Sequence, residues 1–376
     1  MRLATLVLCF AAATPAQTFV VDAQMGPGAS FPDIASAVAG VPDGASIEVR
    51  AGTYGNFTID DKSLVVSGLP GAQVVATILN VVVRNIPVAK SVTLRNLAFG
   101  STGAPGAVKI QGCQGRVVVQ SCTLVPSTNF TAPSIETLFA TDVHLVDDVL
   151  VGSTTHSVLL QFSRAFLTGC ILQPVVNFSI GGILMSGSTC DVADTTITTL
   201  GVASLSSPIH TGSTFDRVRL RGGTILQTTT AQNSDPLISG DGTVWLDPAA
   251  QLVSSSATWF SPTLTVVPRA MPRVTAAAAP LGAPATATLT LPTNAVGGLW
   301  FGLAASPATL LTLATEVLVD PLVVVPVTGG TATTQLATIP LPSLPGLRGI
   351  GLAWQGCSFD PTRGLQASNA VVFTAW

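Results

Sequence analysis

Asp147 and Asp148 are adjacent carboxylates, and His156 closes the same stretch, DDVLVGSTTH. Acid–base hydrolysis uses two carboxyls held at a set separation, so these residue types suit that chemistry. The competing reading gives Asp147 to a tight bend, where Asp often bonds its own backbone. That reading is the better one, and no catalytic residue is assigned. Calcium-dependent elimination would need several carboxylates around the ion and a base beside them. No such cluster is legible. Cys113, Cys122, Cys170, Cys190 and Cys357 follow an early Cys9, with no CxxC and no histidine at ligand spacing. Zinc is therefore not expected. An odd thiol remains once Cys9 is set aside. Cys113 and Cys122 are the pair nearest in sequence, and buried free thiols are the alternative. Gly181-Gly182 reads as a bend at a strand edge, since no GxGxxG opens a helix there. No cofactor and no metal are expected.

A second set of residues becomes a candidate only once the elements that hold it are known. Seven segments share an apolar anchor followed two positions later by a small or polar residue. The anchors are Val66, Leu94, Val119, Leu145, Leu167, Val192 and Leu220, spaced 22 to 28 residues apart. A weaker copy lies at Trp245-Leu246. The position two after each anchor holds Gly68, Asn96, Ser121, Asp147, Gly169, Asp194 and Gly222. These types accept tight, left-handed bends. Further apolar patches precede most anchors: Val81–Val83, Val108–Ile110, Val158–Leu160, Ile183–Met185 and Pro236–Ile238. A unit of two or three short strands cannot bury its apolar side alone. Stacked units can, each strand pairing in parallel with its counterpart in the next coil at about 4.8 Å. Such a repeat predicts a parallel β-helix over 17–262, a rod of roughly 35–40 Å by that spacing. Hairpin folds would instead show frequent Asn-Gly or Asp-Gly turns. Asp-Gly occurs only at 43–44 and 241–242, and Asn-Gly does not occur.

If the anchors point inward, their immediate neighbours point out. One outward column then reads Thr93, Val118, His144, Phe166, Asp191 and Arg219. The other reads Arg95, Gln120, Val146, Thr168, Ala193 and Arg221. His144, Phe166, Asp191, Arg219 and Arg221 on consecutive coils form a candidate strip for carbohydrate. Phe166 would stack on a sugar face, and the two arginines would meet uronate carboxylates. The plain alternative is a solvated face on which Asp191 and Arg219 pair weakly, worth about 0–1 kcal/mol. With Asp191 as its only acid, the strip makes a poor calcium site.

Composition agrees with a β protein. Of 376 residues 9% are charged and 47% hydrophobic, with 35 Gly and 26 Pro. This excludes a disordered chain and a charged-surface helical bundle. The net charge is -3 and the 16 Lys and Arg do not cluster, so nucleic acid is not an expected partner. MRLATLVLCFAAATPAQ reads as a secretory signal cut after Ala16. Its apolar run is shorter than the ~18–20 residues of a membrane span, and no later stretch reaches that length. The mature protein is expected outside the cell, at its surface or in the periplasm. Asn56, Asn129 and Asn177 head glycosylation sequons.

Residues 31–59 read FPDIASAVAGVPDGASIEVRAGTYGNFTI. Phe31, Ile34, Ala35 and Val38 share a helical face, predicting a cap helix over about 31–40 ahead of the first coil. This string resembles the amino-terminal cap and first coil of pectin-lyase-like right-handed β-helix proteins, and SLVVSG at 63–68 resembles the strand that follows. The resemblance covers about 18–260 and implies the right-handed fold. That superfamily includes pectate lyases, pectinesterases and polygalacturonases beside non-enzymatic adhesins and polysaccharide-binding proteins, so the fold leaves function open. DDVLVGSTTH faintly resembles the paired-Asp region of polygalacturonases. It lacks the preceding Asn-Thr-Asp, the following Gly-His-Gly and the later Arg-Ile-Lys.

After about 262 the repeat stops, and apolar strands joined by Pro and Gly turns predict a small antiparallel β-sandwich over 263–376. The ending, LRGIGLAWQGCSFDP followed by GLQASNAVVFTAW, resembles a β module found at the ends of exported bacterial proteins. Its expected roles are docking on the last coil or surface attachment. The sequence thus predicts an exported, non-catalytic surface or polysaccharide-interaction protein. The alternatives are a lyase or glycoside hydrolase acting on acidic polysaccharide, and a purely structural envelope or adhesion protein.

Overall fold

The computed structural model describes residues 17–376 apart from 77–80, 102–105, 126–131, 153–155, 175–181, 200–206, 229–235, 255–257, 278, 309–316, 345–349, 362–363 and 375–376. The expected signal segment 1–16 lies outside the described residues, as do Asn129 and Asn177.

Each coil carries three short strands, one more than the minimum the repeat required. In one coil these are Ser91–Arg95, Ala98–Ser101 and Val108–Gln111. The first strands of successive coils build sheet 1, with eleven strands; the second and third build sheet 2, with nine, and sheet 3, with eight. All pairing in these sheets is parallel, with unbroken register between neighbouring coils. The chain is a right-handed parallel β-helix, the hand that parallel crossovers take. Its anchors form one column: Val66, Leu94, Val119, Leu145, Leu167, Val192, Leu220 and Leu246 are successive Cα partners. From Val66 to Leu220 they are 0% exposed. Each such aliphatic side chain removed from water contributes about 1.5–3 kcal/mol.

The coil turns from sheet 1 to sheet 2 through single left-handed residues. Asn96, Ser121, Asp147, Gly169 and Asp194 have φ of 52°, 52°, 54°, 70° and 50°. At the Gly222 position the left-handed residue is the next one, Gly223, at φ 80°. Gly68 is needed for another reason: a Cβ there would strike the Asn96 carbonyl of the next coil. Polar ladders line the bends inside the solenoid. Asp216 Oδ1 accepts from Ser188 N at 2.6 Å, Ser188 Oγ from Ser163 N at 3.1 Å, and Ser163 Oγ from Ala140 N at 3.2 Å. Cys113, Cys122, Cys170 and Cys190 are buried free thiols, not a disulfide framework.

Helix α1 (Ile34–Gly40) starts at Asp33, whose carboxylate accepts from Ser36 N at 2.7 Å. It buries Ile34, Ala37 and Val38 over the first coil, covering apolar core that would otherwise meet water. The opposite end is different. The solenoid runs on to the strand Leu264–Pro268, past the expected boundary at 262. Among the described residues no strand pairs beyond it. There Leu246, Leu252, Phe260 and Leu264 are only partly buried.

The rest forms two antiparallel sheets. Arg273–Ala276, Pro284–Thr290 and Thr334–Pro340 make one. Val317–Gly330, Val296–Ala308, Gly351–Asp360 and Gly364–Thr374 make the other. They share a core around Leu289, Leu299, Trp354 and Phe373. Docking on the last coil is one of the two roles expected from sequence; among the described residues this domain packs instead on the outer face of sheet 1. Ala353, Ala370 and Val372 pack on Val118 and Phe166, and Thr374 Oγ1 bonds Thr93 Oγ1 at 2.8 Å. No helix among the described residues is long and apolar enough to cross a membrane.

Candidate functional site

The outward columns on sheet 1 have the register that alternation predicts. His144 pairs in register with Phe166, Phe166 with Asp191, and Asp191 with Arg219. The expected solvent-facing strip is nevertheless not there. His144, Phe166, Asp191, Arg219 and Arg221 are 1%, 5%, 5%, 8% and 0% exposed. The reason is the C-terminal domain, which occupies the face these side chains point to. Arg221 sends Nε and Nη2 to the two oxygens of Asp191 at 2.7 and 2.8 Å. Its Nη1 donates to the carbonyls of Pro272 and Ala367 at 3.0 and 3.4 Å. Arg219 is the lesser partner of Asp191, at 3.9 Å, and lies 5.3 Å over the Trp245 ring. His144 stacks on Phe166 with ring centroids 4.8 Å apart and places Nε2 2.7 Å from Asp142 Oδ1. Arg116 holds the other Asp142 oxygen at 3.1 Å. Burial draws the His144 pKa below the usual imidazole value, against the pull of Asp142. These groups join two domains, and they are not displayed to a saccharide.

The acidic pair is separated by its own geometry. Asp148 is 0% exposed, and its two oxygens accept from Cys122 N at 2.7 Å and Val146 N at 3.1 Å. Burial raises its pKa well above the carboxylate range. Asp147 is exposed, in the left-handed bend itself. Both sit where sheet 1 turns into sheet 2. His156 lies instead just before Val158–Gln161 in sheet 3. The carboxyl pair and the histidine do not meet.

Among the described residues, the main contacts of the C-terminal domain with the rod are made to sheet 1, not to its two other outer faces. The strands of sheet 2 present uncharged side chains such as Thr53, Gln73, Thr123, Ile171, Thr196 and Gln227. Sheet 3 carries the ionisable groups. Arg84 reaches Asp60 of the preceding coil at 2.8 Å, and Lys109 reaches Glu136 of the following coil at 3.2 Å. Half-buried Leu159 and Leu184 come next in register. Then follow His210 and Ser239, with His210 Nδ1 and Ser239 Oγ 2.7 Å apart. His156 lies 6.3 Å from His210 between ring centroids. Burial lowers the His156 pKa to about 4 and lowers that of His210. Beside this face, at the turn into sheet 1, Phe139 and Phe162 stack at 5.3 Å and stand 56% and 58% exposed. Their φ values of 52° and 48° are unusual for aromatic residues. One face of each ring is covered by the other.

The sequence reading missed sheet 3 because its apolar patches drew attention to the inward residues. The signal was present: Lys109, Leu159 and Leu184 are the middle residues of those patches, and alternation turns them outward.

The coil is a β-solenoid. That conclusion rests on strand register and agrees with the architecture that the cap string implied. No protein-family model matches the chain, and no curated protein matches it. Among solved structures, a tailspike protein of Acinetobacter baumannii bacteriophage Fri1, a capsular polysaccharide depolymerase, aligns at 10% identity and a TM-score of 0.33. That alignment covers 96% of this chain and 85% of the tailspike chain. Pectin methylesterase from Aspergillus niger aligns at 13% identity and a TM-score of 0.27, over 69% of this chain and 92% of its own. Likeness at this level carries no argument about chemistry.

Proposed function

We propose that this solenoid is an exported, non-catalytic protein that binds polysaccharide along the outer face of sheet 3. One observation carries the reading. On that face each coil carries at least one polar side chain, Asp60, Arg84, Lys109, Glu136, Gln161, Ser186, His210 and Ser239 in turn, shared between two adjacent columns at the strand spacing of about 4.8 Å. A repeating surface with a step close to the length of one sugar ring suits a polymer of sugars. It suits a compact metabolite poorly, because such ligands need a concave, enclosing pocket.

The non-catalytic part has its own support. Asp60 and Glu136 are each held by a cation of a neighbouring coil, and Asp148 is sealed by two backbone N–H groups. Export is supported by the leader-like MRLATLVLCFAAATPAQ.

A glycan array probed with the mature chain tests binding. Hits lost in a Lys109→Ala, Gln111→Ala, Gln161→Ala variant of unchanged thermal stability support the reading. An array without hits, or hits indifferent to these changes, removes it. Incubation with pectin-type and other acidic polysaccharides, calcium present, should release neither unsaturated nor reducing ends. Sustained release by the purified chain would make it an enzyme.

A further inference from the structure

We infer that His156 and His210 form a two-imidazole site for a divalent transition-metal ion of the copper–nickel–zinc group. The inference does not rest on the polysaccharide reading.

The two residues are far apart in sequence, and two windings of the solenoid bring their rings to 6.3 Å between centroids. Two metal–nitrogen bonds of about 2.0–2.1 Å, added to the two ring radii, span a gap of that size. His156 is 6% exposed, and its Nε2 is enclosed with no hydrogen-bond partner. A buried imidazole nitrogen left unpaired in this way costs free energy that a ligand would recover. His210 is prepared from the other side. Ser239 Oγ lies 2.7 Å from its Nδ1 and can accept the Nδ1 proton. With the proton on Nδ1 the Nε2 lone pair is free, the arrangement an outer hydroxyl or carboxylate commonly gives a metal-bound histidine.

Imidazole nitrogen selects copper, nickel and zinc over calcium and magnesium, which prefer oxygen. An imidazole binds a metal as the neutral ring, so affinity at this site should rise with pH. Two protein nitrogens leave coordination positions open, to be filled by water or by hydroxyl groups of a bound molecule. Competition within the chain is small. The sequence has three histidines, and the third, His144, is sealed in the domain junction against Asp142 and Phe166. The thiols of Cys122, Cys170 and Cys190 are buried and held protonated, so they do not compete either.

The test is titration calorimetry of the untagged mature chain with Cu2+ and with Zn2+ at pH 7. It is joined by electron paramagnetic resonance of the Cu2+ form. Saturable one-to-one binding and a copper spectrum showing two nitrogen ligands are the expected results. His156→Gln and His210→Gln should each weaken binding at least about tenfold, and Ser239→Ala should weaken it by a similar factor through loss of ring orientation. The spectrum of the unmodified protein needs no variant, so a variant that fails to fold does not spoil the test. No saturable binding, a spectrum with fewer than two nitrogens, or affinity unchanged in folded His156→Gln and His210→Gln would overturn the site.

Discussion

Arg221 is the residue whose loss should be felt most widely. It is fully buried, forks onto Asp191 and holds two carbonyls, one after the last coil and one in the final strand. Arg221→Ala leaves Asp191 enclosed with only the distant Arg219, a loss of about 3–5 kcal/mol. Chemical denaturation should show it as a lower midpoint. The double variant Asp191→Leu, Arg221→Met should recover much of that loss, because an apolar pair leaves no uncompensated charge. His156 makes a pH statement. Its folded pKa of about 4 lies below the ordinary imidazole value of 6.5. The stability tied to its neutral form is fully present above pH 6.5 and is lost as pH falls through 4, by about 3 kcal/mol at 1.36 kcal/mol per unit. His156→Gln should therefore cost less at pH 4 than at pH 7 when both unfolding curves are compared. Asp148 runs the other way: its folded pKa is raised, so its contribution fades as pH rises through that value.

At the scale of the elements, stability depends on what neighbouring coils share. Ser163 both donates to Gln161 O and accepts from Ala140 N of the coil before it. Ser163→Ala should cost about 1–3 kcal/mol, since it orphans a buried N–H. Gly182 lies against the Pro208 carbonyl of the next coil, where a Cβ has no room. Gly182→Ala should lower the melting temperature although the substitution is small; an unchanged melting temperature would show that the coils can slide apart locally. These inter-coil requirements explain what was legible. The anchor column could be read because inward aliphatics and left-handed bends leave a periodic imprint of residue type. The exact bend at Gly223 could not, because either of two adjacent glycines can take the positive φ. The site was less legible. Alternation correctly turned His144, Phe166 and Asp191 outward, but outward from the coil is not outward from the molecule. Nothing local in those strands records that a later domain will settle on them. The His156–His210 approach is hidden for the opposite reason: ligand spacing legible in a sequence spans a few residues, whereas a solenoid returns to the same place once per turn.

For the whole molecule, the junction should make the two domains thermodynamically dependent. Its contents are mixed, with an apolar patch of Val118, Phe166, Ala353, Ala370 and Val372 beside buried charges. Ending the chain at Pro272 would bare Phe166 and Val118 and leave Arg221 without the Ala367 carbonyl. That shortened protein should bind a hydrophobic dye and self-associate, measurable by light scattering; a monodisperse, dye-silent product would show that sheet 1 tolerates water. The register between coils has a separate implication. Every winding meets its neighbour in the same way, and the last one presents the same kind of edge that the others have already filled. Duplicating one complete turn ahead of Thr93, the first residue bonded to the C-terminal domain, would therefore lengthen the body without redesigning the cap or the junction. Such a scaffold can be tuned in reach by unit steps, much as a measuring rule is cut to the span it must bridge.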